Sequence, residues 1–255
     1  MRLRAWRWPL VALAILMLGT LVTALAVGGN GGGTLDPDSA SPDGGRALAA
    51  LLRDRGVTVT PVRTTADAQA AVQGAPDGTT LLITDPALLT RSQVDTLAST
   101  QVARLVMVQP DSLSAGLLTT AGAQVVAPYN VPGLVDPACA DPDATAAGNA
   151  DIGDGEVFSG GVSGCYGASA GYALVTTPGP ASNDTVLVGS RTPFRNDRLA
   201  DHGNAALALR LLGKDPTVVW YVPDAADPGA SDSSGRKSFT DVLPAGWRRI
   251  EIESE

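Results

Sequence analysis

Histidine and lysine are almost missing from this chain. Its 255 residues hold one histidine, His202, and two lysines, Lys214 and Lys237, against 16 arginines. A structural or catalytic zinc site takes three or four His, Cys or carboxylate ligands in a tight constellation. His202 with Cys139 and Cys165 cannot make the usual version, so no metal and no cofactor are expected. Aromatic residues are 4% of the total, which suits small helices packed on a Val-rich sheet rather than an aromatic-lined groove. A phosphate loop is excluded as well. Gly29 to Gly33 lacks the spacing and the Lys-Ser/Thr ending that such a loop requires, and it comes after an apolar run rather than a strand. No internal repeat is present. The arginine bias reads as a coding background, not as function.

The start of the chain carries basic charge and no acid. Arg2, Arg4 and Arg7 stand in the first 30 residues without an acid, and removing them from the net charge of −8 leaves −11 for the rest. An acidic body repels nucleic acid, so no nucleic-acid partner is expected. After residues 1–8 comes an uncharged run from Pro9 to Val27. At ~1.5 Å per residue it extends about 28 Å, close to the hydrocarbon thickness of a bilayer. Trp6 and Trp8 stand where an interfacial aromatic belt belongs, and the arginines place Met1 in the cytoplasm. The chain is therefore read as membrane-integrated and single-pass, its body outside the cytoplasm. Ala24-Leu25-Ala26 also resembles a signal-peptidase site, but the apolar run exceeds the ~7–15 residues of a signal peptide. Anchor is the preferred reading, and both readings export the domain beyond Val27. Residues 28–42 (GGNGGGTLDPDSASP) form a flexible tether overlapping a domain at 35–223, and 224–255 is a polar segment.

Within 35–223 helical and strand patterns alternate. Ser41-Pro42-Asp43 offers a cap for a helix carrying Leu48, Leu51 and Leu52, stopped at Gly56. Residues 57–62 alternate as a strand. Helices are expected over 64–73, 90–100, 112–119 and 198–212. Strands are expected over 79–84, 104–109, 124–126, 172–177, 185–189 and 217–222. The β-then-α rhythm predicts a three-layer α/β fold, a mostly parallel sheet with helices on both faces. Between 128 and 171 the rhythm gives way to Gly, Pro, Asp and Ala, read as a loop-rich excursion.

Both cysteines lie in that excursion. In an exported domain an even pair reads first as a disulfide, Cys139 with Cys165. The alternative makes Cys165 a nucleophile, because Gly164-Cys165-Tyr166-Gly167 resembles part of the G-x-C-x-G turn of glutamine amidotransferases. Ser163 replaces its first glycine, and no H-x-E partner exists. Residues 167–171 match G-x-S-x-G around Ser169, and Asp184 or Asp197 then His202 come after it in hydrolase order. That motif needs a strand before the serine and a helix after it. Here the order is glycine-rich loop, then strand, and His202 falls inside an expected helix. The preferred reading is a turn at Ser169 and no catalytic residue. Asp36-Pro37-Asp38, Asp85-Pro86 and Gln109-Pro110 read as turns. Asp85 and Gln109 also end expected strands, where open α/β sheets place ligand crevices, so Asp36, Asp85 and Gln109 are the candidate crevice residues.

Three stretches carry a family resemblance: LDPDSASPDGGRALAALLRDRGVTV, TTLLITDPALLT, and NDRLADHGNAALALRLLG with VVWYVP. They resemble bacterial membrane proteins bearing domain of unknown function 4350. That resemblance implies a Rossmann-like, class I glutamine-amidotransferase-like fold without amidotransferase chemistry. It also implies gene neighbourhoods with MoxR-type ATPases, and so a partner of that kind and a role in assembly or upkeep of the cell envelope. Such proteins continue after a segment like Leu243–Trp247 into a second membrane helix. This chain instead reads RRIEIESE, which is expected to mark a truncated end. The favoured function is a non-catalytic binding or assembly module. The alternative is an exported hydrolase using Ser169 or Cys165 with His202.

Overall fold

The computed structural model describes residues 33–129, 134–153, 155–168, 170–181, 183–224 and 227. The apolar run Pro9–Val27, its flanks at 1–8 and 28–32, Ser169, and the segment 228–255 lie outside the described residues. Among the described residues no helix is long and apolar enough to cross a membrane.

Among the described residues six helices surround a nine-stranded mixed sheet. In chain order the elements are α1 (Arg46–Asp54), β1 (Thr58–Val62), α2 (Thr65–Gln73), β2 (Thr79–Ile83), α3 (Arg91–Ala98), β3 (Arg104–Val108), α4 (Ser112–Leu118) and β4 (Gln124–Tyr129). They continue with β5 (Leu134–Val135), α5 (Pro142–Ala147), β6 (Ala150–Asp151), β7 (Gly155–Ser159), β8 (Cys165–Ala168), β9 (Gly171–Pro178), β10 (Asp184–Val188), α6 (Asn204–Leu212) and β11 (Thr217–Tyr221).

The sheet runs β1-β11-β2-β3-β10-β9-β7-β4, with β8 also on β9. Its first five strands are all parallel. The pairs involving β9, β8, β7 and β4 are antiparallel. "Mostly parallel" is therefore corrected to a parallel half joined to an antiparallel half. Two strands of the antiparallel half, β7 and β8, come from 128–171, where short runs such as Val157-Phe158 find partners elsewhere in the chain and become strands despite weak local signals.

Strand residues alternate between two cores because the side-chain period is two. Leu82, Val106, Val186, Val218 and Trp220 pack with α1, α5 and α6 on one face. Leu81, Ile83, Leu105, Met107, Val219 and Tyr221 pack with α2, α3 and α4 on the other. Handedness explains the division. The steps β1→β2 and β2→β3 move one way along the sheet, while β10→β11 moves back. A right-handed crossover then puts α6 on the face opposite α2 and α3. Pro61, which lacks an N–H, is tolerated because β1 is an edge strand.

Helix starts match their caps. Thr64 accepts from Asp67 N at the head of α2, and Thr90 with Gln93 closes a capping box on α3. Two expectations shift. Ser41 does not cap α1, which begins after Gly45 with no side-chain cap. Residues 34–42, expected as tether, pack onto the domain instead. Leu35 is fully buried, the Trp220 indole N–H donates to its carbonyl at 3.0 Å, and Leu35 N donates back to Asp43 O. One leucine in a polar string suffices, because it fills a place over Trp220 that water would otherwise occupy.

Candidate functional site at the carboxyl edge of the sheet

Chain leaving β3 turns into α4 on one face, and chain leaving β10 passes to α6 on the other. Neighbouring strands whose connections part in this way open a crevice at their carboxyl ends. Asp85, just past β2, and Gln109, just past β3, both lie along this edge. Asp36 lies on it too, paired with Arg63 at the end of β1 at 2.8 Å and almost fully buried. The three expected crevice residues thus share one edge but not one cluster. Asp36 belongs to the β1 end, while Asp85 and Gln109 follow β2 and β3.

Arg191 and Glu156, neither foreseen from the sequence, complete the crevice. Arg191 lies just after β10 and donates from Nη2 to Asp85 Oδ1 at 3.3 Å. Glu156 enters from β7, where Gly155 and Gly189 let two backbones cross. A Cβ on either glycine would collide with backbone or side-chain atoms of the other strand. Glu156 N donates to Gly189 O at 2.7 Å, which fixes the carboxyl group beside the end of β10. Burial raises the Glu156 pKa above its ordinary value, Asp111 raises it further, and Arg191 opposes them. Glu156 Oε2 and Arg191 Nε are both buried without a hydrogen-bond partner among the described residues. Unpaired buried polar atoms cost free energy, so both groups hold unused hydrogen-bonding capacity at this edge. Ser190 and Thr192 hold the rim by donating to Gly153 O. The only local signals for these residues were the Gly189-Ser190-Arg191 turn after a strand and the alternation around Glu156.

Gln109 has φ 50° on a tight strand-to-helix turn, with Asp111 capping α4 next to it. That conformation is uncommon for a non-glycine residue. It is the geometry in which α/β hydrolases present a nucleophile, yet the residue here is an amide.

The alternative catalytic set loses its thiol. Cys139 and Cys165 form a disulfide, as the pairing argument expected, which removes Cys165 as a thiol. A hollow of about 380 Å³ lies over this bridge, lined by Asp141, Ser163, Tyr172 and Thr176 among others. Ser169 lies outside the described residues; β8 precedes it and β9 follows it, an antiparallel pair, and the next α-helix among the described residues is α6. His202 is not in a helix. It is exposed, at φ 47°, in the turn before α6. The helix starts late because Asn204 turns its side chain to Asp151 N and the Arg198 carbonyl.

A second carboxylate escaped the sequence reading. Asp227 is buried against the head of α2, where its Oδ2 accepts from Thr65 N, Thr65 Oγ1, Gln93 Nε2 and Tyr221 OH. It fastens the chain beyond β11 back onto the carboxyl edge.

A family model described as Domain of unknown function (DUF4350) matches residues 37–212. An "Uncharacterized membrane protein Rv3691" of Mycobacterium tuberculosis is 32% identical over 252 residues, covering 95% of this chain and 61% of the relative. The chain thus spans about three fifths of that relative's length. No solved structure matches it.

Proposed function

The chain belongs to the DUF4350 family, and from that premise we propose a membrane-anchored, extracytoplasmic α/β module that binds rather than catalyses. Its partner would be a protein of the cell envelope, and a MoxR-type ATPase system is the class suggested by the family resemblance. The relative's name as a membrane protein supports the anchor, as does the arginine-flanked apolar run at Pro9–Val27. A class I amidotransferase-like arrangement of the parallel half accords with the strained strand-to-helix turn after β3. The observation that carries the non-catalytic reading is Gln109 on that turn. The backbone there has the left-handed conformation that nucleophile turns use, and a carboxamide, which is no nucleophile at neutral pH, occupies it. Around it stand groups suited to holding a polar ligand: Glu156, Arg191 and Asp85.

A fluorophosphonate probe applied to the full chain in native membranes provides the test. No covalent adduct is expected, whereas labelling that disappears in Ser169→Ala would overturn the binding reading in favour of a serine hydrolase. In parallel, cross-linking in the native membrane should recover an envelope protein, and Arg191→Ala with Glu156→Ala should reduce that recovery.

A further inference from the structure

Both ends of the described domain emerge at one edge. Gly33 lies against Val222, just past β11, and Asp36 meets Arg63 at the end of β1. Asp227 sits at the head of α2, again beyond the end of β1. All of these positions are at the carboxyl ends of the parallel strands.

Exposed large apolar side chains show the same bias. Among the described residues they are Leu88, Leu113 and Leu134, at 40%, 42% and 46% exposure. Leu88 ends the short turn after β2, and Leu113 is the second residue of α4, directly after β3. Leu134 pairs with Asp151, two residues before the Gly153 carbonyl that Ser190 and Thr192 hold beyond β10. The amino-edge turns preceding β2 and β3 present Asp77 and Ser99 instead.

Tether length turns this coincidence into an orientation. With Leu35 buried, only residues 28–32 separate the proposed span from the folded domain. Five residues reach about 17 Å when fully extended, less than the roughly 40 Å across a domain of this size. We infer that the domain stands with the carboxyl edge of its sheet against the outer surface of its own membrane, Leu88, Leu113 and Leu134 reaching into the lipid interface. This rests on the anchored reading of the chain. It means that a ligand enters the Glu156–Arg191 crevice from along the bilayer rather than from bulk solvent. Tethering supplies a high local concentration, so three half-exposed leucines suffice where they could not recruit a free protein. Asp38, Asp67, Asp111 and Asp224 are exposed on the same edge. They repel anionic headgroups, a repulsion screened beyond about 8 Å at physiological salt.

The test uses the full chain reconstituted in phosphatidylcholine vesicles that contain lipids brominated on the acyl chain. Single cysteines are introduced as Leu88→Cys, Leu113→Cys, Leu134→Cys, Asp77→Cys and Ser99→Cys, and labelled without reductant so that Cys139–Cys165 stays bridged. Fluorophores at 88, 113 and 134 should be quenched several-fold more than those at 77 and 99. At low salt, exchanging part of the phosphatidylcholine for phosphatidylglycerol should weaken that quenching, and added salt should restore it. Equal quenching at all five sites, or stronger quenching at 77 and 99, in protein that survives a carbonate wash overturns the orientation and leaves the anchor standing. Release by carbonate removes the anchor and the orientation together. Contact at 88, 113 and 134 seen in native membranes but absent from pure lipid assigns the edge to a protein occupant and also overturns the lipid contact.

Discussion

Asp227→Ala removes one acceptor from a knot of buried donors, and its cost can be worked out group by group. Four hydrogen bonds end on Asp227 Oδ2, at 2.8 Å from Thr65 N, 3.0 Å from Thr65 Oγ1, 2.9 Å from Gln93 Nε2 and 3.2 Å from Tyr221 OH. Not all four donors are stranded when it goes. Gln93 Nε2 also donates to Thr65 Oγ1 at 3.0 Å, and the Thr65 and Tyr221 hydroxyls lie 3.0 Å apart, so each can serve the other. What remains bare is the Thr65 N–H, in the first turn of α2, the second amide proton of Gln93 and one hydroxyl proton. Three unsatisfied buried donors, at about 1 kcal/mol each, cost about 3 kcal/mol. In a domain of this size that lowers Tm by roughly 9 °C. Asp227→Asn keeps an amide oxygen for Thr65 N and loses the charge, a cost of about 1 kcal/mol. Differential scanning fluorimetry of the detergent-solubilised full chain checks both. A shift below ~2 °C for the alanine variant, or an asparagine variant as unstable as the alanine one, would refute the assignment of these bonds to the carboxylate.

Two further outcomes come from single features. Glu156 has a pKa above its usual 4.5 in the folded state. A raised carboxyl pKa contributes stability below the unfolded value, and that contribution fades as pH rises through the folded value. Glu156→Gln should therefore melt higher than the parent at pH 7, with the gap closing as pH falls towards 4.5; a gap independent of pH would contradict the burial argument. The Cys139–Cys165 bridge spans 26 positions, and in the chain-entropy model breaking it costs about 3 kcal/mol. Reduction should lower Tm accordingly, while alkylation of unreduced protein adds no mass; two adducts would disprove the bridge.

Local chemistry made some of this legible and topology hid the rest. The helices expected from 64 and from 90 start at the caps of α2 and α3, where the contact joins residues three apart. The apolar runs at Leu81–Ile83 and Val218–Trp220 announced buried strands. Asp85 and Gln109 could be named because strand ends are visible in sequence. Their companions could not. Arg191 meets Asp85 across 106 positions, through strand neighbours β3 and β10 that no local pattern pairs. Glu156 was missed because glycine in Gly155 and Gly160 signals loop, whereas Gly155 is there for a close backbone crossing. The late start of α6 was hidden for a similar reason. Arg198 is helix-compatible by propensity, but its guanidinium is committed to Asp151 in β6.

The antiparallel half makes sense as a device for placing Glu156. The chain leaves α4, builds β4, β7, β8 and β9, and only then returns as β10 beside β3. A plain crossover from β3 to β10 would give the same parallel sheet without β7, and the crevice would hold Asp85, Asp111 and Arg191 but no Glu156. Register shows how firmly the detour is tied to the site. Leu174 of β9 stands opposite Val188, the last residue of β10, and opposite Cys165 of β8. The disulfide therefore sits two strands from the end of β10, at the level where the crevice begins. Tyr166, next to Cys165, reaches the Gly148 carbonyl at 2.9 Å, and its pKa is pushed up to about 12, by burial first and then by Asp141. The Tyr166 hydroxyl thus stays neutral and keeps donating across the ordinary pH range. An oxidised bridge and a neutral tyrosine together pin the Gly-rich stretch that hydrophobic burial alone would leave loose. Their structural effect falls on the strand beside the Glu156–Arg191 pair, so the bridge supports the crevice rather than forming a second site of its own.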